Sequence, residues 1–441
     1  MILLNSLFCF SQSKEFSYLP ANKDSLNNYI KSAAAEKIVK LGDKNRKDIK
    51  KIVEERRDNF IKSIEDSTYI FDKKINNYLK GILSEIYQKN NIKDAKKFYF
   101  LIDKSPIPNA ACYGNGIFSI NLGLFNLIDS DDELAFIIAH EIAHYQLDHN
   151  DSSLLKYIET MNSKDFKSKV KQIDRQEYGK RKAFYDLITG LNYNFLRRSR
   201  KAETQADSLG LALFNKTKYD KKASVSALKK LEKIDEIIFN EDPLIKQHFN
   251  FEEYPFKEAW LNKEENLFDL KETADDYAMH KDSLKTHPDI PIRIEQLNAL
   301  LKSEANGTAA MSDNLREIKS ISAKNSILIF IDDSKIDLAL YQTMILFNRK
   351  EIDQERYTFL IADLLKRTYD SKLKHSFGKY VDPVSPFSEE KHLNEVRTFL
   401  HNLEVKNVRK LGHSFCSKNK ELMKNNPEFA KIEQFFKNLN I

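Results

Sequence analysis

Residues 130–149 read SDDELAFIIAHEIAHYQLDH, and this stretch decides the fold. Ser130, followed three residues later by Glu133, is a capping box. Each side chain satisfies a backbone N–H that the first helical turn leaves without a partner. The helix this box opens is expected to run to His149, and ELAFIIAHEIAHY within it is apolar on nearly every face rather than along one stripe. A helix of that kind belongs at the centre of a core, with other elements packed around it. Yet His140, Glu141 and His144 stand in its second half. Polar groups are costly to bury without partners, so these three need something to face.

The spacing says what that is. His140 and His144 are four residues apart, hence on one face of a helix. Both imidazoles can reach a single zinc ion at ~2.0–2.1 Å. Glu141, one residue on, is rotated toward the side where a metal-bound water would lie. Zinc lowers the pKa of such a water from ~15.7 to about 7. A carboxylate in reach can take its proton and pass it to a leaving amine. That is the chemistry of peptide-bond hydrolysis. A thiolate site is not supported, because Cys9, Cys112 and Cys416 are odd in number, widely spaced and form no CxxC pair.

A third ligand is needed. The metzincin pattern HExxHxxGxxH fails, with Leu147 at the glycine position and Asn150 at that of the third histidine. His149, five residues after His144, reads as a surface or helix-end residue past the productive face. No ExxxD or ExxSD pattern stands some twenty residues downstream. Residues 197–210 read RRSRKAETQADSLG, and there Glu203 and Asp207 share one helical face among apolar neighbours. Glu203 can complete a His-His-Glu set for one zinc per chain. Asp207 can accept the other ring N–H of a ligand histidine.

HExxH followed by SRKAETQAD resembles the HtpX, Oma-type and CAAX-prenyl-protease family of zinc metallopeptidases. In that family the glutamate of an ExxAD motif is the third zinc ligand. The resemblance assigns that role to Glu203 and the motif aspartate to Asp207. NAACYGNGIFSINLGLF (109–125) is similar to a family segment that forms an edge strand along the cleft, suited to binding substrate backbone. Residues 206–233 match the helical segment after the glutamate ligand, and THPDIPIRIEQL (286–297) matches the family's His-Pro segment. The resemblance implies that His287 lies near the cleft, as an oxyanion partner or a transient inhibitory zinc ligand, against the alternative of a loop histidine fixing a turn before Pro288. Arg293 reads as structural, paired with an acidic group. The other histidines carry no ligand spacing.

The expected fold is mainly α with a small β-sheet (α+β), of the gluzincin type. Outward from the motif, residues 23–90 read as two or three amphipathic helices and 97–103 as a strand. Residues 105–116 carry loop breakers, and 117–125 read as a strand or a strand-to-helix passage. Residues 150–180 read as polar and helical, and 181–236 as two helices broken near 215–220. This gives a possible-signal segment at 1–13, an N-terminal helical region at 14–94 and a metallopeptidase domain at 95–303. That domain carries an aromatic-rich insertion at 238–285. A linker follows at 304–325, then a helical C-terminal region at 326–441. Within the last, SILIFI (326–331) reads as a strand. No repeat period is evident.

The chain has 441 residues, 41% hydrophobic and 31% charged, with a net charge of only +6, so it reads as globular with no nucleic-acid footprint. Residues 2–10 are mostly apolar and precede a polar, small-residue stretch, the pattern of a secretory signal without its positive start. Export to the periplasm or cell envelope is the expectation, and a cytoplasmic place if that segment is not a signal. Phe8 before Cys9 argues against a lipoprotein cysteine. No other apolar run approaches the ~20 residues that span a bilayer, so any membrane association is peripheral. The expected substrates are proteins or peptides, with partner proteins on 326–441. The rival expectation is a latent or non-catalytic, zinc-bound chaperone or scaffold acting through 326–441; intact Glu141 argues against a dead enzyme.

Overall fold

The structure, a computed structural model, describes residues 16–176, 178–262, 290–301, 311–384 and 389–439. It divides into two compact units. Among the described residues, one comprises those from 16 to 232 with those from 290 to 316, the other those from 233 to 262 with those from 317 to 439. Both have the mainly helical character that the sequence predicts, and the sole sheet among the described residues is small.

In the first unit, α1 (Lys23–Lys40), α2 (Arg46–Glu65) and α3 (Lys73–Asn90) precede and interleave a four-stranded sheet. Its strands are β1 (Tyr69–Ile70), β2 (Tyr99–Asp103), β3 (Ala110–Gly114) and β4 (Ile117–Asn121), in the spatial order β1-β2-β4-β3. β2 and β4 run parallel, with Phe100 opposite Phe118 and their rings stacked at 4.4 Å. β3 pairs antiparallel with β4 and forms one edge of the sheet. The loop predicted over 105–116 is therefore a strand in its second half, as the family resemblance implies. Gly114, Asn115 and Gly116 all have positive φ and make the tight turn. The short apolar–polar pattern of AACYG carried too little periodicity to reveal the strand.

After α4 (Leu122–Leu127) comes the motif helix α5 (Asp131–Gln146). Ser130 Oγ accepts the Glu133 N–H at 3.2 Å, while the Glu133 carboxylate reaches back to the Asp129 N–H at 2.7 Å. The capping box is thus realised one residue wider than its ideal. Three acidic residues in the first turn also favour the positive end of the helix dipole. Every residue from Glu133 to Ala143 is buried, as all-round apolarity requires.

α6 (His149–Asn162) and α7 (Lys164–Asp174) follow, then the 35-residue α8 (Lys180–Phe214) and α9 (Ala223–Glu232). α5 packs against α8, α9, α3 and β3. The helix Ile290–Leu300 returns to this unit and packs on α8 and α9. α1 is tied to α6 by the buried pair Lys37–Asp151 at 2.8 Å, with Lys40 adding a second contact to Asp151 at 3.0 Å.

The second unit departs from the sequence reading in two places. SILIFI is not a strand but the end of the helix Asp313–Asp332, with Ile327, Ile329 and Ile331 buried. A short apolar run cannot by itself distinguish a buried helix from a strand. That helix also occupies the second half of the expected linker, from Asp313 on. The described part of the aromatic insertion, residues 238–262, belongs to this unit rather than to the peptidase unit. Its Ile245, Phe249, Phe251 and Trp260 share one core with Tyr341, Phe399 and Phe415. The helices Ile336–Asn348, Gln354–Leu373, Lys391–Asn402, Val405–Asn419 and Pro427–Asn438 complete it. No helix among the described residues is long and apolar enough to cross a membrane. The segment read as a signal lies outside the described residues.

Candidate metal centre

Two helices bring the sequence-predicted residues together. α5 carries His140 and His144, and α8 crosses it with Glu203 and Asp207. The crossing is close because Gly210 faces His140; a Cβ on Gly210 would stand 2.9 Å from the His140 Cα. One turn back along α8 from this contact, Asp207 meets the His140 ring, and a further turn back Glu203 reaches both imidazoles.

His140 Nε2 and His144 Nε2 are 3.0 Å apart. Glu203 Oε2 is 3.5 Å from the first, and Oε1 is 3.3 Å from the second. Ligands at ~2.0–2.1 Å in a tetrahedron stand about 3.4 Å from one another, so the three donors are spaced as the corners of such a figure. On the far side of the ring, His140 Nδ1 lies 2.9 Å from Asp207 Oδ1. Donation of Nδ1–H to that carboxylate turns the Nε2 lone pair toward the shared point. Donor set and spacing fit a divalent cation of the zinc type. Another grouping of potential ligands, Asp242, His392 and Glu395, lies on the surface of the other unit with no buried member.

Arg293 takes the structural role predicted for it, and its acidic partner is the site itself. It is almost wholly buried. Its Nε and Nη2 donate to the two Asp207 oxygens at 2.6 and 2.8 Å, and its Nη1 lies 3.0 Å from Glu203 Oε2. Burial alone would raise the Asp207 carboxyl, but Arg293 and His140 outweigh it and hold Asp207 below its ordinary range. Burial likewise disfavours a charged His140 ring, yet Asp207 and Glu203 push its proton affinity up to about 10. The site is built to hold positive charge.

Glu141 is buried beside the ligands, at the floor of a cleft of about 690 Å³. Ala111 and Cys112 of β3 line one wall, and Lys201 and Gln205 of α8 another. Burial, and secondarily the nearby Glu141, push the Cys112 thiol up to about 12, so it stays neutral. The Asn150 side-chain amide donates to the Cys112 carbonyl and fixes the strand to α6. The motif helix, expected to run to His149, ends at Gln146, and His149 instead opens α6; its ring is not turned away, with Nδ1 2.9 Å from His144 Nδ1. His287 lies outside the described residues. Gly210, His149 and Gln205 were not legible as site residues, since none belongs to the ligand spacing. His248, given no role by its sequence context, bonds Tyr357 at 2.7 Å, and burial pushes it down to about 4.

A buried HExxH helix, a glutamate-bearing helix crossing it and an edge strand along the cleft are features of a metallopeptidase. The chain belongs to peptidase family M48, whose family model matches residues 73–301, just over half of its length. It is also similar to the mitochondrial metalloendopeptidase OMA1 of Arabidopsis thaliana, at 28% identity over 160 residues. That match covers 33% of this chain and 30% of the relative, so the chain spans under a third of the curated protein it matches.

Proposed function

We propose that this metallopeptidase is a zinc-dependent endopeptidase acting on unfolded or misassembled proteins. The observation that supports it most is the convergence of His140 Nε2, His144 Nε2 and the Glu203 carboxylate at 3.0–3.5 Å from one another, beside Glu141 in the cleft. These three residues would hold the ion, with Asp207 and Arg293 bracing them. When bound, zinc supplies Lewis acidity toward a water and a scissile carbonyl.

The chain's own groups do the rest. Glu141 accepts a proton from the attacking water and returns it to the leaving amine. β3 offers backbone groups to an extended substrate, a mode of binding that reads main chain more than side chains. That suits broad selection of unfolded segments. An envelope setting rests on the apolar stretch at residues 2–10 alone. An intact Met1 on protein recovered from a cytoplasmic fraction of its native cells would overturn it.

Casein hydrolysis and zinc content, measured together for wild type, Glu141→Gln and Glu203→Ala, test the reading. Wild type should cleave, Glu141→Gln should keep zinc and lose cleavage, and Glu203→Ala should lose zinc. A wild-type protein that holds one zinc and cleaves nothing would favour the non-catalytic, chaperone-like alternative. One that binds no zinc would defeat both.

A further inference from the structure

His149 Nδ1 lies 2.9 Å from His144 Nδ1, and His149 Nε2 lies 3.3 Å from Gln205 Oε1. The two imidazoles meet nearly edge to face, 72° apart with centroids at 4.9 Å, which suits an in-plane hydrogen bond rather than stacking. A neutral imidazole has one N–H and one lone pair. If His144 offers its Nε2 lone pair to a cation, its proton must sit on Nδ1. The atom 2.9 Å away must then accept it, so His149 Nδ1 carries a lone pair and His149 keeps its proton on Nε2. That proton needs an acceptor in turn, and Gln205 presents a carbonyl oxygen. One requirement, a metal on His144, fixes every link, and each observed atom is of the kind required.

We propose that His149 and Gln205 form a positioning relay that fixes the tautomer and ring orientation of His144 toward the metal. The proposal rests on the zinc reading above. It gives His144 what Asp207 gives His140, an acceptor on the remote ring nitrogen. The two acceptors differ in kind: Asp207 is a buried anion, while the relay is neutral and opens at Gln205 to the cleft. The second ligand histidine is therefore oriented without adding negative charge to the site.

The fold builds the relay locally. α5 ends at Gln146, and Asp148 takes a left-handed conformation with φ of 53°. The chain reverses there, so that His149, the first residue of α6, folds back over the last turn of α5. Lys40 contacts Asp148, and Lys37 and Lys40 hold Asp151, so α1 pins that reversal. Gln205 comes from α8, two residues beyond Glu203.

The test is the zinc dissociation constant of the full-length chain, by chelator competition at fixed pH, for wild type, His149→Phe, His149→Asn and Gln205→Leu. Phenylalanine keeps the ring volume but has no acceptor, and zinc should bind about 10–100-fold more weakly. Asparagine sets a carbonyl oxygen close to where Nδ1 stood and should stay within a few-fold of wild type. Gln205→Leu should lose affinity in the same direction, but less. A packing role would give the reverse order, with phenylalanine tolerated and asparagine not. Wild-type affinity in His149→Phe, or equal losses in His149→Phe and His149→Asn, would sink the relay. If thermal unfolding of the zinc-free form shows His149→Phe to be unfolded, Gln205→Leu, at an exposed position, decides, and wild-type affinity there overturns the proposal. Zinc retained by Glu203→Ala would instead defeat the metal assignment itself.

Discussion

Gly210 of α8 faces the backbone of His140 on α5 so closely that a methyl group there would lie 2.9 Å from the His140 Cα and 3.1 Å from its nitrogen. This close contact lies between the two helices that carry the candidate ligands. Both Glu203 and Asp207 depend on it, because they lie on the same helix within two turns.

Gly210→Ala should therefore push the helices apart where backbone meets backbone. Overpacking of this kind costs about 1–3 kcal/mol, and the displacement falls on the ligand set. The expected outcome is a lower Tm of the zinc-free protein together with weaker zinc binding. A Tm and zinc affinity equal to wild type would show that the helices accommodate the methyl group without disturbing the site.

Arg293 binds Asp207 through two parallel hydrogen bonds and also reaches Glu203. Its removal would take from two buried carboxylates the guanidinium that both contact, leaving the His140 ring beside them. Breaking a buried pair from one side costs about 3–5 kcal/mol, so Arg293→Met should unfold at markedly lower temperature when metal is removed. Arg293→Lys should recover only part of the loss, since a point charge cannot reproduce the two-pronged geometry. Thermal unfolding in a chelator checks this, and full recovery by lysine would show that charge alone matters.

Asp207→Asn should lower zinc affinity by about 10–100-fold with a smaller effect on the fold. The amide can still sit beside Arg293, but it no longer guarantees an acceptor for His140 Nδ1–H. Chelator competition gives the result directly. An unchanged dissociation constant would mean that His140 is oriented by other contacts.

The proton affinity of His140 makes a prediction about pH. Its folded value, about 10, lies above the ~6.5 of an unfolded histidine. A raised value contributes stability that is fully present below about pH 6.5 and is lost as pH rises toward 10. The Tm of the zinc-free protein should thus fall between pH 6.5 and 10 relative to a His140→Gln variant. Zinc must displace the same proton, so binding at pH 7.5 should release about one proton per ion. Calorimetric titration in buffers of different ionisation enthalpy measures that number, and heats independent of buffer would refute it.

How much of this was legible beforehand varies with the range of the interaction. The HExxH spacing, the capping box and the Glu203/Asp207 pair all lie within one or two helical turns, where sequence distance is spatial distance. Burial of α5 followed from its all-round apolarity. β3 was not legible from its own residues, because an edge strand of five residues takes its identity from β4 beside it. SILIFI misled for a related reason: six apolar residues fit a buried helix as well as a strand, and the polar residues before them in Asp313–Asp332 decided the matter.

The sequence by itself picked out the candidate ligands: helical periodicity, local and fixed, put His140, Glu141 and His144 on neighbouring faces of one helix, and the family resemblance supplied Glu203. Only the tertiary structure decided how those residues are held. Gly210 against His140, Arg293 beneath Glu203 and Asp207, and His149 folded back on His144 are contacts between segments that sequence spacing does not relate. They arise where packed helices must either fill space or leave a charge buried without a partner, and that constraint exists only once the chain has folded.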